Sequence, residues 1–195
     1  MTRKLTRAFL ALEVPAAIKE RLAAAQENLR RELPRARWTR PDGWHLTLKF
    51  LGEVAAPALD GLAAELAQEV RGLGTVNVHL GGSGFFPSPA RPRVAWVGGA
   101  ADGVESVVAA VERAAEGTGF PRERRPWSIH VTQARLKDRW PPAAVDRFLE
   151  WGEELDLEPF DCREIVLFKS DLQPGGAVYT ALERLPLARS SHRVS

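Results

Sequence analysis

Residues 44–52 read Trp-His-Leu-Thr-Leu-Lys-Phe-Leu-Gly, and residues 127–135 read Trp-Ser-Ile-His-Val-Thr-Gln-Ala-Arg. Each stretch contains one His-x-Thr motif, which begins at His45 in the first and at His130 in the second. Both motifs lie in apolar runs that are typical of β-strands. The sequence therefore predicts two strands that each carry a histidine and a threonine two residues apart.

Alternation along a strand places the two polar side chains of each motif on one face. Thr47 shares a face with its histidine, as does Thr132, at about 6–7 Å along the backbone. The residues between and after them, Leu46, Leu48 and Phe50, are predicted on the opposite face, in the core. Each strand thus presents an imidazole beside a hydroxyl group.

The rest of the chain predicts a mixture of helices and strands. Apolar spacing predicts helices at about 15–33, 59–70, 102–111 and 141–149, with strands at 6–13, 45–51, 75–80, 94–97, 127–134, 165–168 and 177–182. Residues 81–92, rich in Gly, Ser and Pro, predict a loop. This order has no strict βαβ alternation, which favours an α+β fold with largely antiparallel sheets. A helix, a basic turn and a His-x-Thr strand occur twice, as an internal echo.

Composition and length indicate one folded domain. The chain has 195 residues, 45% hydrophobic and 27% charged, so we expect a single domain over 1–186 and a flexible tail over 187–195. Cys162 is the only cysteine and cannot form an intrachain disulfide. The apolar run at 8–12 is too short for a signal peptide, and no segment approaches the roughly 20 apolar residues of a membrane span. We expect a cytoplasmic monomer without a membrane partner.

Charge is unevenly distributed although the net charge is only +2. Residues 121–139 contain six Lys and Arg against two acids, while residues 147–164 contain two against seven. A solvated surface of mixed sign is one interpretation. A basic patch that attracts a phosphate-bearing ligand is the other, and the position of His130 within the basic stretch favours it.

The paired motifs suit chemistry on a phosphodiester. An imidazole can transfer a proton, and a hydroxyl can donate to a non-bridging phosphate oxygen. In-line displacement at phosphorus needs a base on one side and an acid on the other, which two facing motifs supply without a metal. A single His-x-Thr is usually structural, and catalytic zinc usually needs three closely spaced protein ligands, which neither motif offers. We therefore expect no metal and no cofactor.

Several further stretches carry a family resemblance. The two quoted stretches resemble the signatures of the 2H phosphoesterases, in particular the bacterial and archaeal RNA 2′,3′-cyclic phosphodiesterases, also called 2′-5′ RNA ligases. The resemblance extends over residues 5–185 and includes Arg7–Leu12, Phe86-Pro87, Arg93–Trp96 and Ser170–Tyr179. The second motif departs from the family pattern at Gln133, where an aliphatic residue is usual, and at Ser128-Ile129, where proline commonly precedes the histidine. We expect altered packing from Gln133 rather than lost chemistry.

The resemblance implies both a fold and residue roles. It implies two lobes related by a pseudo-twofold axis, each with an antiparallel sheet and helices on its outer face, around a central basic cleft. It implies hydrolysis of a terminal 2′,3′-cyclic phosphate to a 2′-phosphate, with His45 as general acid and His130 as general base. Thr47, Thr132 and Arg135 would hold the phosphate. Arg135 lies five residues after its histidine, so it reaches the same face only if the strand ends or bulges before it.

Aromatic residues are candidates for stacking on a nucleobase, since RNA ends are often bound in this way. The candidates are Phe9, Phe85, Phe86 and Trp38, although core packing of Phe9 and anchoring of the loop by the other two phenylalanines are equally compatible with the sequence. The expected partners are RNA ends or small nucleotides that bear a cyclic phosphate. Alternatives at the same site are 2′-5′ ligation, action on other cyclic nucleotides, or RNA-end binding without catalysis.

Overall fold

A computed structural model describes residues 5–174 and 176–188 of the chain. The helices are α1 (Ala16–Glu32), α2 (Ala56–Glu69), α3 (Val104–Gly117) and α4 (Pro142–Glu153), with a 3₁₀ turn at Pro41–Gly43. The strands are β1 (Leu5–Glu13), β2 (Arg37–Trp38), β3 (His45–Ala55), β4 (Val76–Ser88), β5 (Arg91–Asp102), β6 (Val131–Arg135), β7 (Phe160–Cys162), β8 (Glu164–Gln173) and β9 (Gly176–Pro186). In these ranges, no helix is long and apolar enough to cross a membrane.

The strands form two sheets. The first sheet has the order β3-β1-β8-β9 and the second has the order β2-β6-β5-β4-β7. Neighbouring strands in both sheets are antiparallel. The α+β class with antiparallel sheets, predicted from the mixed order of elements, is confirmed.

Helices cover the outer face of each sheet, and two of them cross over to do so. Helix α1 follows β1 of the first sheet but packs on the second, where Gln26 Nε2 donates to Gln133 Oε1 at 3.0 Å. Helix α3 follows β5 of the second sheet but packs with α2 behind β3 of the first, where Lys49 Nζ donates to Glu112 at 2.9 Å. Each lobe therefore contains a helix that follows a strand of the other lobe.

The predicted loop at 81–92 is wrong, because this segment forms the turn end of a long β4–β5 hairpin, in which only residues 89–90 lie outside the strands. Its small residues are required by a tryptophan ring that lies flat across the sheet. A Cβ atom at Gly84 would lie 2.4 Å from Cζ2 of Trp96, and one at Gly98 would lie 2.7 Å from Cζ3. The glycines thus mark a close contact inside a sheet and not a break between elements.

Two element boundaries also differ from the prediction. β6 begins at Val131, so His130 immediately precedes the strand. Leu187 and Ala188, which the sequence assigned to the flexible tail, donate backbone hydrogen bonds to Arg163 and Leu73, each at 2.8 Å. The remaining residues of the predicted tail lie outside the described part of the chain.

Candidate active site

His45 lies on the face of the first sheet that is turned away from α2 and α3. Its ring lies against Phe9, with centroids 4.6 Å apart, and meets the edge of Tyr179 at 5.1 Å. Phe168, opposite Phe9 on β8, completes this aromatic cluster. The cluster is separate from the main core and is the surface on which the imidazole rests.

Both histidines are oriented by a carbonyl two residues earlier. His45 Nδ1 lies 2.8 Å from the oxygen of Gly43, and His130 Nδ1 lies 2.9 Å from the oxygen of Ser128. A carbonyl only accepts hydrogen bonds, so these contacts require Nδ1 to carry a proton. In the neutral rings Nε2 is then the basic atom, and both rings are half-buried rather than sealed from solvent.

Burial lowers the pKa of His45 from 6.5 to about 4. The hydrogen bond to the Gly43 carbonyl opposes this shift, while the positive charges of Lys19 and His130 add to it. The contribution of His130 means that the two imidazoles are close enough to interact electrostatically. In the free protein, His45 is therefore neutral at neutral pH.

Each motif is hydrogen-bonded to the other lobe through one tryptophan. Trp127 Nε1 donates to the backbone oxygen of Thr47 at 2.7 Å. Trp44 Nε1 donates to Thr39 Oγ1 at 2.8 Å, and that hydroxyl donates to the backbone oxygen of Thr132 at 2.6 Å. The sequence alone does not predict these hydrogen bonds, although a tryptophan begins both of the stretches that contain the motifs.

Each motif strand has a β-bulge at the same place. In β3, Lys49 pairs with Leu10 and Thr47 pairs with Ala11, so Leu48 is the extra residue. In β6, Gln133 is the extra residue between the pairs Ala134–Ala95 and Thr132–Trp96. An extra residue reverses the alternation of faces, so the fifth residue after each histidine returns to the face of the motif.

Arg135 is the residue that this bulge repositions in β6. It pairs with Val94, one pair beyond Ala134–Ala95 from the Thr132–Trp96 pair, and it is exposed. Arg135 was expected to reach the motif face only if the strand ended or bulged before it, and the strand does bulge between Thr132 and Arg135. The bulged residue itself, Gln133, is buried and faces α1.

Phe50 is the corresponding residue in β3, and its predicted place in the core is wrong. Its side chain is 68% exposed, and its ring lies 6.1 Å from that of Phe9 on the motif face. Leu46 and Leu48 are buried as predicted. The Leu48 bulge moves Phe50 to the opposite face and places Lys49 on the core side.

The predicted base-stacking residues divide into two groups. Phe9 is buried beneath His45, Phe85 is buried against Phe148 of α4, and Trp38 pairs with the buried Ala134 and contacts Trp140. Phe9 and Phe85 are covered by protein and offer no free face to a base, whereas Trp38 is half-buried. Phe86 is half-buried, and its ring meets that of His130 edge-on at 5.1 Å.

Other reactive side chains do not join this site. Cys162 is buried, and desolvation raises the pKa of its thiol to about 12, with smaller contributions from Asp161 and Glu13. It is therefore an unreactive thiol of the core. Within residues 5–174 and 176–188, no three His, Cys, Asp or Glu side chains are grouped as a metal site would require.

Comparison with known proteins yields a consistent set of relatives. The sequence model of the LigT-like phosphoesterases matches residues 12–96 and again residues 97–179, with one motif in each match. A protein named RNA 2′,3′-cyclic phosphodiesterase from Aeropyrum pernix is 34% identical over 154 residues, covering 76% of this chain and 85% of the relative. One of the same name from Thermus thermophilus is 32% identical over 197 residues, covering 95% and 92%.

Solved structures are similar over nearly the whole chain. The crystal structure of a Thermus thermophilus protein superposes with a TM-score of 0.76 at 26% identity, covering 94% of this chain and 99% of that one. Escherichia coli LigT complexed with 3′-AMP superposes with a TM-score of 0.69 at 25% identity, covering 95% and 99%.

Proposed function

Because this chain belongs to the LigT-like phosphoesterase family, we propose that it is an RNA 2′,3′-cyclic phosphodiesterase that opens a terminal cyclic phosphate to a 2′-phosphate. The observation that carries this proposal is the duplicated motif. Two imidazoles, each held at Nδ1 by a carbonyl and each two residues before a threonine, interact electrostatically. Relatives named for this activity cover most of the chain.

The reaction needs two proton transfers. His130 Nε2 takes a proton from water as the water oxygen bonds to phosphorus. The bond from phosphorus to the 3′-oxygen then breaks, and His45 Nε2 protonates that oxygen. The hydroxyls of Thr47 and Thr132 donate to the non-bridging oxygens, and the Arg135 guanidinium offsets the developing negative charge.

His45 can act as the acid only if binding of the substrate changes the protonation state of its imidazole. In the free protein the lowered pKa leaves this ring neutral. A cyclic phosphate brings a negative charge into the cleft, and a nearby opposite charge favours the protonated imidazole. Binding of the substrate thus supplies the condition under which His45 can donate a proton.

The direct test is incubation with an RNA that ends in a 2′,3′-cyclic phosphate, in excess EDTA. We expect a product with its phosphate on the 2′-oxygen. His45→Ala and His130→Ala should each lower kcat by about 10²–10⁴-fold, and the double variant should lose far less than the product of the two losses.

His79→Ala is the matched control, because His79 is exposed on β4 and lies outside the motifs. It should retain wild-type kcat. Full activity of either motif variant, or a 3′-phosphate product, would contradict the assignment.

A further inference from the structure

The loop at residues 121–127, just before the second motif, is fastened at three points. The bonds run from Lys49 Nζ to Pro121 O (2.9 Å), from Glu123 N to Glu112 Oε2 (3.1 Å), and from Trp127 Nε1 to Thr47 O (2.7 Å). Two of these bonds reach β3, which is an edge strand of the first sheet. The loop is therefore held along β3, between the levels of Thr47 and Lys49.

The anchor at Lys49 is a buried ion pair. Its ammonium group donates to both carboxylate oxygens of Glu112 at 2.9 Å as well as to Pro121. The Lys49 side chain is almost fully buried. A buried charge that loses its partner is strongly destabilising, so this anchor keeps the loop in place.

The loop carries three exposed arginines, Arg122, Arg124 and Arg125. Among the described residues, none of their guanidinium groups makes an ion pair or a hydrogen bond to another protein group. The one acid of the loop, Glu123, accepts bonds from the backbone N–H of Arg125 (3.2 Å) and of Arg124 (2.9 Å), which lower its pKa. The loop thus presents three cationic groups to solvent that serve no bond within the fold.

Phe50 lies on β3, the strand to which this loop is fastened. It is the residue after Lys49, and it lies on the motif face. Most of the surface of its side chain is exposed. Single-stranded RNA is bound by arginines that contact phosphates and by aromatic rings that stack on bases. An exposed ring on the strand that holds a loop with three unpaired arginines matches that pattern.

We infer that Phe50 and the arginines of the 121–127 loop form a subsite for the nucleotides that precede the terminal one. This inference rests on the proposed function, since the terminal cyclic phosphate must lie between the two histidines. The RNA would then leave the cleft over the edge of β3, with its phosphates on the loop and a base on Phe50. The preferred substrate is accordingly an oligonucleotide and not a cyclic mononucleotide.

The test compares kcat/KM for a short oligonucleotide ending in a 2′,3′-cyclic phosphate with that for a nucleoside 2′,3′-cyclic monophosphate. The wild-type protein should prefer the oligonucleotide. Arg122→Gln, Arg124→Gln and Arg125→Gln combined should lower the ratio of the two values by about 10–100-fold, mainly through KM for the oligonucleotide. Phe50→Ala should lower it by about tenfold.

The matched control is a triple variant at Arg30, Arg31 and Arg71, each changed to Gln. It removes the same charge from α1 and from the turn that follows α2, so its ratio should equal that of the wild type. An equal loss in both triple variants would show only a general charge effect and overturn the subsite. An unchanged ratio in the loop variant would also overturn it.

Binding separates this proposal from the proposed function. Fluorescence anisotropy with a labelled RNA that ends in a 2′-phosphate needs no turnover. The loop variant should bind this RNA about 10–100-fold more weakly, with a smaller dependence on salt, by about 0.7 in log–log slope per lost phosphate contact. If the wild-type protein turned over no cyclic phosphate but the loop variant still bound the RNA more weakly, the enzymatic function would be rejected and the subsite retained. Equal binding of the RNA by the loop variant and the wild type would reject the subsite.

Discussion

The imidazole of His45 is surrounded by groups that disfavour its charge. The rings of Phe9 and Tyr179 exclude water from it, and Lys19 adds a repulsive positive charge. These effects outweigh the Gly43 carbonyl, which favours the protonated ring. The charge of a bound phosphate must offset these effects before the ring can hold the proton that it donates to the departing oxygen.

This environment predicts a ligand-dependent titration of His45. By NMR of the imidazole nitrogens, the midpoint in the free protein should lie near pH 4. Saturation with 3′-AMP, the nucleotide present in the LigT complex, should move the midpoint upwards because the phosphate charge stabilises the imidazolium.

The resonances of His79, on an exposed part of β4, serve as the internal reference because the nucleotide should not move them. A His45 midpoint that stays the same or falls when 3′-AMP binds would remove the acid role from this residue.

Single residues differ in how far the sequence predicts them. His45 and Thr47 could be predicted because strand alternation over two residues is reliable. The faces of Phe50 and Arg135 could not be predicted, because a bulge between each histidine and the fifth residue after it reverses the alternation of faces. Neither Leu48 nor Gln133 has a local sequence feature that predicts the bulge. The partner of Gln133 is Gln26, which is far away in the sequence.

Among the elements, the short segment that links β2 to β3 connects the lobes through one hydroxyl group. Thr39 accepts from the buried Trp44 and donates to the backbone of β6 at Thr132. Loss of this hydroxyl would leave a buried indole N–H without a partner, at a cost of about 1–3 kcal/mol.

Thr39→Val and Thr39→Ser form a pair that tests this link. Valine keeps the shape and removes the hydroxyl, so we expect kcat to fall about tenfold with little change in KM, because the link positions Thr132 rather than binding substrate. Serine keeps the hydroxyl and should restore most of kcat. If serine were as slow as valine, the methyl group and not the hydrogen bond would be responsible.

Local composition predicted the boundaries of helices and strands only where contacts from distant parts of the chain favoured the same structure. The helices were predicted near their true positions because their apolar spacing is strong. The β4–β5 hairpin was missed because Gly84 and Gly98 read as breakers, whereas they accommodate the Trp96 ring. The contact that explains the glycines lies on a neighbouring strand and is absent from the local pattern.

At the scale of the whole molecule, the two matches to the family and the two sheets divide the chain differently. The match over residues 12–96 contains β2 and β4 of the second sheet as well as β3 of the first. The internal echo in the sequence predicted two lobes. It could not predict that α1 and α3 each pack on the lobe of the other sheet, because an exchange of helices leaves no periodic signal.

Stability of the whole fold should depend on the protonation of His45. Its folded pKa of about 4 lies below the ordinary value of 6.5, so the unfolded chain binds more protons between these two values. The free energy of unfolding should therefore rise with pH from about 4 to 6.5, and be lost as the pH falls through that window, by at most about 3 kcal/mol.

Urea unfolding at pH 4.5 and pH 7 would measure this dependence. His45→Gln removes the titrating group and should flatten the difference between the two pH values. An identical pH dependence in the variant and the wild type would assign the effect to other groups.

The central position of β1 in the first sheet has a consequence for synthesis of the protein. β1 is translated before its neighbour β8, which follows about 150 residues later, on the order of ten seconds at ordinary elongation rates. Until then one edge of β1 lacks its hydrogen-bonding partner strand, and the apolar side chains of Phe9 and Ala11 lack their native contacts with β8. The growing chain must therefore remain free of aggregation while this strand waits, which is a demand on early folding and on chaperones rather than on the finished catalyst.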